Sequence, residues 1–267
     1  MEDKDWETFK QKLKQKTEID LNLYKEAQMK RRILNLVQRS PHKTFVAYFD
    51  AVSKTKEEFA EFIEYLTINV SEFFRNADKF SKLETEIIPN LMKTSPRLSI
   101  WSAGCSIGAE PYSLAIMMKE LTPSTRHRIL ATDLDVEILA KARRGVYAEN
   151  EIKAVTKDRL QKYFTPAPEG KFAIKPDIKS MIEFRRHNLL KDRFETGFDL
   201  ILCRNVVIYF TEEAKTQLYT NFFNSLKPGG ILFVGATEAI LNYRKLGYVS
   251  SQPFFYEKPK TNPETKK

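Results

Sequence analysis

Two cysteines, Cys105 and Cys203, are all that the 267-residue chain contains, too few for the disulfide framework of a small secreted domain or a Cys-ligated zinc site. Histidine is almost as scarce. His42, His127 and His187 show no H-x-x-x-H spacing, so each reads as a surface or packing residue and no metal is expected. Long apolar runs are missing too. The longest, such as 206–210 and 231–236, fall far short of the roughly 20 residues that cross a bilayer. The start, Met1-Glu2-Asp3-Lys4-Asp5-Trp6, is acidic and lacks the basic, apolar, small-residue order of an export signal. The expectation is a cytoplasmic protein with no membrane insertion.

What the chain does have is core material and positive charge. Apolar residues make up 42% and aromatics 12%, which excludes wholesale disorder. Lys and Arg number 44 against 35 Asp and Glu, a net +9 that favours an acidic partner. At roughly 100 to 200 residues per domain, the length allows one large domain or two unequal ones.

The first part, to about residue 91, is helical in pattern with no strand evident. Within 20–39, Asp20 is an N-cap candidate, and Leu23, Ala27, Leu34 and Val37 lie on one face of a helix. The opposite face is basic: Lys25, Arg32 and Arg39 recur every seven residues with Arg31 beside them. Near Thr94-Ser95-Pro96 the pattern changes to short strands alternating with helices. Strands are expected at 98–103, 128–132, 182–186, 198–203 and 231–236, and helices at 109–121, 136–143 and 212–226. Such alternation argues for a mostly parallel sheet covered on both faces. The last run, 248–256, has no room for a crossover and is expected to pair antiparallel at the sheet edge. Pro166, Pro168, Gly170 and Pro176 punctuate a small inserted hairpin. We therefore expect a helical domain at 1–85 and an α/β domain at 86–267, with an insert at 163–186.

Three places carry polar chemistry at the carboxyl ends of strands, where open α/β sheets bind ligands. Gly104 and Gly108 bracket the turn from first strand to first helix, followed by Glu110; the spacing fits neither a dinucleotide fingerprint nor a triphosphate loop. Asp133 ends the second strand, placed to accept hydrogen bonds from ribose hydroxyls, although Asp133 or Asp135 capping the next helix would look the same. Arg204, Asn205 and Tyr209 interrupt an apolar run after the fourth strand, where burial would be costly unless they meet a ligand or one another.

These motifs, together with Thr67-Ile68-Asn69-Val70-Ser71-Glu72-Phe73-Phe74-Arg75-Asn76 and Gly235-Ala236-Thr237-Glu238, closely resemble the chemotaxis receptor methyltransferases, the CheR family. The likeness runs from about residue 21 to 256. It implies a Rossmann-like class I methyltransferase sheet with a C-terminal antiparallel strand, a small inserted β subdomain and an N-terminal all-α domain. It also implies transfer of a methyl group from S-adenosyl-L-methionine, leaving S-adenosyl-L-homocysteine, to glutamates on the cytoplasmic helices of bacterial chemoreceptors, by a monomer that binds no nucleic acid. On matching positions, cofactor contacts would be Asn69, Ser71, Arg75, Gly104, Glu110, Asp133, Asn188, Leu189, Arg204 and Asn205, and Arg75 and Tyr209 would act at the transfer step. Ile107 and Ala109 stand where the family has threonine and glutamate. With receptors as partner, the basic stripe of Lys25, Arg31, Arg32 and Arg39 becomes a docking face; a solvated helix face is the alternative.

A glutamate carboxylate, with an ordinary pKa of about 4.3, is already ionised and needs no general base to attack a sulfonium methyl. The absence of a catalytic dyad is therefore expected. Two other readings stay open: a nucleic-acid methyltransferase, from the positive charge, and a noncatalytic receptor-binding adaptor that keeps the fold.

Overall fold

The computed structural model describes residues 2–67 and 71–260 and divides into two compact units. One comprises Met1–Ile68 with Val207–Leu218, the other Asn69–Val206 with Tyr219–Lys267. No helix among the described residues is long and apolar enough to cross a membrane.

The first unit is built from α1 (Glu2–Thr17), α2 (Glu26–Arg39), α3 (Phe45–Val52) and α4 (Lys56–Thr67). Its core is aromatic. Phe9 is fully buried, with Trp6, Phe45, Phe49 and Phe62 at ring-centroid distances of 5.3, 6.0, 5.5 and 6.5 Å. The contacts to Phe49 and Phe62 are edge-to-face and the one to Trp6 is stacked, arrangements that add to the burial of large rings. Helix α3 starts where it does because Thr44 accepts from the Ala47 N–H while the Asp5 carboxylate takes those of Phe45 and Val46, satisfying donors a helix start leaves open. Asp20 is a cap, as expected, but of a short 3-10 turn, Leu21–Leu23, rather than of α2. The buried stripe of α2 also differs from the expected one. It is Met29, Ile33 and Val37, an i, i+4, i+8 row, and Ala27 is exposed.

The second unit opens with α5 (Ala77–Lys82), a single π turn (Leu83–Ile87) and α6 (Ile88–Met92). There follow β1 (Ser99–Ala103), α7 (Ala109–Leu121), β2 (Arg128–Asp133), α8 (Val136–Arg144), β3 (Val146–Tyr147), α9 (Lys157–Tyr163), β4 (Phe164–Ala167), β5 (Lys171–Ile174), α10 (Pro176–Lys179), β6 (Ile182–Arg186) and β7 (Phe198–Cys203). Helix α11 (Glu212–Ser225), β8 (Leu226–Val234), β9 (Val249–Gln252) and β10 (Phe255–Glu257) complete the chain. The main sheet has the order β6-β2-β1-β7-β8-β10-β9. Its first five strands pair parallel and the last two antiparallel. Strand order reverses between β1 and β7, a switch point that opens a crevice at the carboxyl edge.

Strand β7 and helix α7 match expectation because all of β7 and the run Pro111–Met118 of α7 are buried, which leaves no competing pattern. Elsewhere the structure differs in three respects. Strand β8 begins five residues before residue 231, taking in Lys227-Pro228-Gly229-Gly230 through a register shift against β7. The C-terminal run holds two strands, a hairpin rather than one. The insert is a three-stranded sheet, β3-β5-β4, that recruits Val146 and Tyr147 from before residue 163, whereas Ile182–Arg186 is the edge strand of the main sheet.

Residues 71–92 pack with the sheet. Phe73, Phe74, Phe80, Leu83, Ile87 and Ile88 share one buried cluster with Ile100, Ile116 and Leu200. Three phenylalanines within eight residues supply apolar area that a solvated linker could not hide, and the sheet face takes it.

Candidate functional site

Strand β1 ends in a tight bend. The N–H groups of Gly104 and Cys105 both donate to the Thr132 carbonyl on β2, at 2.8 and 2.9 Å. Gly104 has φ +79°, and a Cβ there would sit 2.5 Å from Val206 Cγ2, so only glycine lets the bend approach the loop after β7. Gly108, at φ +87°, precedes the first residue of α7. Ala109 is fully buried beneath the turn, and the Ile107 carbonyl accepts a 2.7 Å hydrogen bond from the Tyr147 hydroxyl. Tyr147, on β3, thus braces the bend from the small sheet.

Asp133, at the end of β2, accepts from the backbone N–H of Ser106 at 2.8 Å and of Asp135 at 3.1 Å. Asp135 is the helix cap, accepting from Glu137 and Ile138, so the two acids have separate jobs. Burial pushes the Asp133 carboxyl up from its ordinary 3.8 to about 6. A carboxylate offers about four lone-pair positions, and two are used by these bonds. The neighbouring β6 strand delivers Asn188 and Leu189, both buried. The His187 N–H donates to the Asp133 carbonyl at 2.9 Å, and Asn188 Oδ1 accepts from the Leu190 N–H at 3.0 Å.

Arg204 follows β7 and is nearly fully buried, its side chain 3% exposed. One terminal nitrogen pairs with Glu110 Oε2 at 3.2 Å. The other donates to the Arg75 carbonyl at 2.9 Å and to Asn76 Oδ1 at 2.7 Å. The Ser102 hydroxyl donates to the remaining Glu110 oxygen at 2.8 Å, and the guanidinium lies against the rings of Phe233 and Phe80 at 4.7 and 5.3 Å. Arg75 sits between Phe74 and Asn76, both left-handed at φ +49° and +61°, a conformation that costs non-glycine residues about 1–3 kcal/mol each and concentrates at functional sites.

Asn205 is also left-handed, φ +60°, and its N–H donates to Glu238 Oε2 at 2.6 Å. The same oxygen takes the Gly235 N–H at 2.9 Å. Buried Glu238 therefore ties the loops after β7 and β8 together.

The structure thus connects Arg75, Glu110 and Arg204 directly, and places Gly104, Asp133, Asn188, Leu189 and Asn205 at the carboxyl edge of the same sheet. Ser71 is half-buried just before this bend. Asn69 lies outside the described residues. Tyr209 belongs to the helical unit, in the 3-10 turn Val207–Tyr209, where its carbonyl accepts the Lys25 N–H at 2.8 Å. In that unit Arg31 and Arg39 are exposed and Lys25 is half-buried. Arg32 is engaged: its guanidinium donates to the Tyr65 carbonyl and lies 4.1 Å from the Tyr65 ring. Asn76 and Glu238 fall within motifs read from sequence, yet no role was assigned to either. An acid three residues after a glycine, closing a turn, is the one signal Glu238 gives.

Two buried polar atoms at this edge, Ser106 Oγ and Arg204 Nε, have no hydrogen-bond partner among the described residues. Such atoms each cost about 1–3 kcal/mol, which a polar ligand would relieve. With the Asp133 carboxylate at the end of β2 and Arg75 in the bend that Arg204 holds, the residues at this edge suit an adenosyl amino acid. No group of three or more His, Cys, Asp or Glu placed to hold a metal occurs among the described residues.

Comparison with known proteins agrees with the geometry. A family model described as CheR methyltransferase, SAM binding domain, matches residues 69–255, and one described as CheR methyltransferase, all-alpha domain, matches residues 4–67. The chemotaxis protein methyltransferase of Listeria innocua is 44% identical over 257 residues, covering 96% of this chain and 98% of its own. That of Listeria monocytogenes is 43% identical over the same length and shares. The chemotaxis protein methyltransferase of Borreliella burgdorferi is 34% identical over 253 residues, 90% of this chain and 89% of its own.

Replacing Glu110 with Ala should lower the unfolding free energy by about 3–5 kcal/mol, because it leaves the Arg204 charge buried without its anion. Denaturant titration measures this. A loss below about 1 kcal/mol would mean that the Arg75 carbonyl and Asn76 hold that charge alone.

Proposed function

Because the chain belongs to the CheR methyltransferase family and carries its S-adenosylmethionine-binding domain, we propose that it methylates glutamate side chains on the cytoplasmic helices of chemoreceptors, forming methyl esters. The observation that carries this reading is the crevice at the β1/β7 switch point. There the Gly104 bend, the Asp133 carboxylate and the buried Arg204 network meet. S-adenosylmethionine supplies a methyl group on a positively charged sulfur, and a carboxylate can attack it without losing a proton.

The residues at hand then do positioning work. Asp133 accepts the ribose hydroxyls. Gly104 lets the backbone come close to the nucleoside, and Asn188, Leu189 and Ser71 line its base and amino-acid portions. Arg204 and Glu110 neutralise each other and act as a fixed wall. The Arg75 side chain binds the carboxylate of the cofactor's amino-acid end, since a tight pair with the attacking glutamate would blunt that nucleophile. Asn205 joins the cofactor contacts, and Tyr209 is assigned to the transfer step. Orientation of this sort is worth roughly 7–11 kcal/mol. The domain reading follows the same division, helical at the N-terminus for docking and α/β for chemistry, with the monomer as the working unit. The small sheet braces the glycine bend through Tyr147.

Docking falls chiefly to Arg31 and Arg39, with Lys25 at the start of α2. Arg32 contributes less, because its guanidinium already serves the carbonyl end of α4. Long-range attraction to an acidic receptor helix is screened by salt and governs association more than turnover.

Incubating the protein with methyl-labelled S-adenosylmethionine and receptor cytoplasmic fragments should give label that mild alkali releases; alkali-stable label would point to nitrogen methylation and defeat the ester reading. In the same assay, reversing Arg31 and Arg39 to Glu should raise the apparent KM for receptor by about tenfold while affinity for S-adenosylhomocysteine holds, the loss of two long-range attractions at low salt. An unaltered KM would remove α2 as the docking face.

Asp133 gives a pH signature. Its folded pKa is raised to about 6, so below that pH the carboxyl holds a proton that hydroxyl donors must displace, and affinity for S-adenosylhomocysteine should fall about tenfold per pH unit. The sign for stability is opposite. An acid with a raised folded pKa binds its proton more tightly in the folded state, so its contribution to stability grows as pH falls from 6 towards 3.8. Calorimetry across pH 5–8 on the protein and on Asp133→Asn should show the affinity slope only in the former; equal slopes would dismiss Asp133 as ribose acceptor.

A further inference from the structure

Arg159, on α9, takes no part in the reaction as described, yet its side chain is held by two carboxylates beside the Phe74–Asn76 bend. One of its terminal nitrogens lies 2.6 Å from both Glu84 and Glu120, and its Nε lies 3.0 Å from Glu120. All three side chains are a quarter exposed or less. Between them they join α9, α7 and the π turn that follows α5, a helix distortion that recurs at functional sites. The Arg159 Cζ lies over the ring of Phe74, 4.6 Å from its centroid.

The far side of that bend is fixed with equal care. The Phe74 N–H donates to Ser113 Oγ at 3.0 Å, and Ser113 in turn donates to the Ala109 carbonyl at 2.7 Å. The Phe73 ring packs on Tyr147 and Phe164 at 4.8 and 5.4 Å. Arg204 holds the Arg75 carbonyl and Asn76. The backbone on both sides of Arg75 is left-handed, at Phe74 and Asn76, and such a conformation persists only where surrounding contacts over-determine it. The ring of Phe74 meets that of Phe80 edge-to-face at 5.7 Å and, on Arg159, a charge that two carboxylates immobilise.

We propose that Arg159 is a positioning residue for the cofactor end of the site: clamped by Glu84 and Glu120 and stacked on Phe74, it holds the strained bend that aims Arg75 at the cofactor's carboxylate. This rests on the assignment of Arg75 to that carboxylate. Lysine could keep one ion pair but not the planar stack or the fork that meets two carboxylates together, so Arg159→Lys is the informative conservative change.

The test is calorimetric binding of S-adenosylhomocysteine to the full chain. It needs no receptor, so its outcome is separate from that of the methyl-ester reading. Arg159→Ala should weaken binding by about ten- to a hundredfold, the scale of a small misplacement at a site, and Arg159→Lys should fall between it and the unchanged protein. KM for S-adenosylmethionine should rise, while KM for receptor, read at saturating cofactor, stays put. The double variant Arg75→Ala with Arg159→Ala should bind no worse than Arg75→Ala alone, because the two act in series. Additive losses in that cycle would overturn the proposal, as would unchanged affinity in Arg159→Lys and Arg159→Ala at temperatures where both are folded. Should Arg159→Ala fail to fold, Arg159→Lys and Glu120→Gln carry the same cycle against Arg75→Ala.

Discussion

The site depends on one buried charge. Arg204 is almost wholly withdrawn from water, and a guanidinium in that position costs several kcal/mol unless its donors are met with good geometry. Three groups from two stretches meet its terminal nitrogens: Glu110 from the first turn of α7, and the Arg75 carbonyl and Asn76 side chain from the bend. None can shift without exposing the charge to an apolar surround of Phe80 and Phe233. The arginine therefore sets the relative placement of the loop after β7, the start of α7 and the 71–76 bend before any ligand arrives. Preorganisation of this sort comes from a hydrogen-bonded charge rather than from rigidity of the loops themselves.

A second layer holds the first. Glu238 receives two backbone N–H groups from loops 30 residues apart in sequence, at Asn205 and Gly235. Tyr147 reaches from the small sheet to the Ile107 carbonyl. Through such contacts the insert and the C-terminal loop act on the crevice without lining it. The substitution of isoleucine and alanine at 107 and 109 fits this frame: position 109 is closed off under the turn, where an alanine fills the space without burying a charge.

How far the residues announce this arrangement differs from place to place. Gly104, Asp133 and Arg204 stand out in the sequence because each breaks an apolar strand at its carboxyl end, and a polar residue there has few structural uses. Helix α7 and strand β7 are legible for the converse reason, being apolar nearly throughout. By contrast Lys227-Pro228-Gly229-Gly230 reads as a breaker, but β8 begins before it, with a register shift against β7 absorbing the irregularity. The two-residue strand at Val146 and Tyr147 has too little periodicity to be seen at all. On α2 the face pointing inward is chosen by packing, so Met29 and Ile33 are buried where Leu23 and Ala27 had equal claim by spacing. Asn76 and Arg159 give no local sign of their contacts, because the partners lie 39 to 128 residues away; Glu238 gives only the turn it closes with Gly235, its other partner, Asn205, lying 33 residues away.

For the proposed reaction, the electrostatics of such a wall have a consequence of their own. A sulfonium and a carboxylate enter as opposite charges and leave as a neutral thioether and a neutral ester, so charge disperses on the way to the transition state. Water stabilises the separated charges most, and a crevice that excludes it raises the reactants relative to the transition state. A strong uncompensated field would undo this by holding one reactant too tightly. Arg204 paired with Glu110 presents no such net field, while the shape it enforces remains. Selectivity for a carboxylate acceptor then has to come from the residues that face it and from the docking surface, and the excess of basic residues along the chain is free to act at long range, where salt can tune association without touching the chemistry.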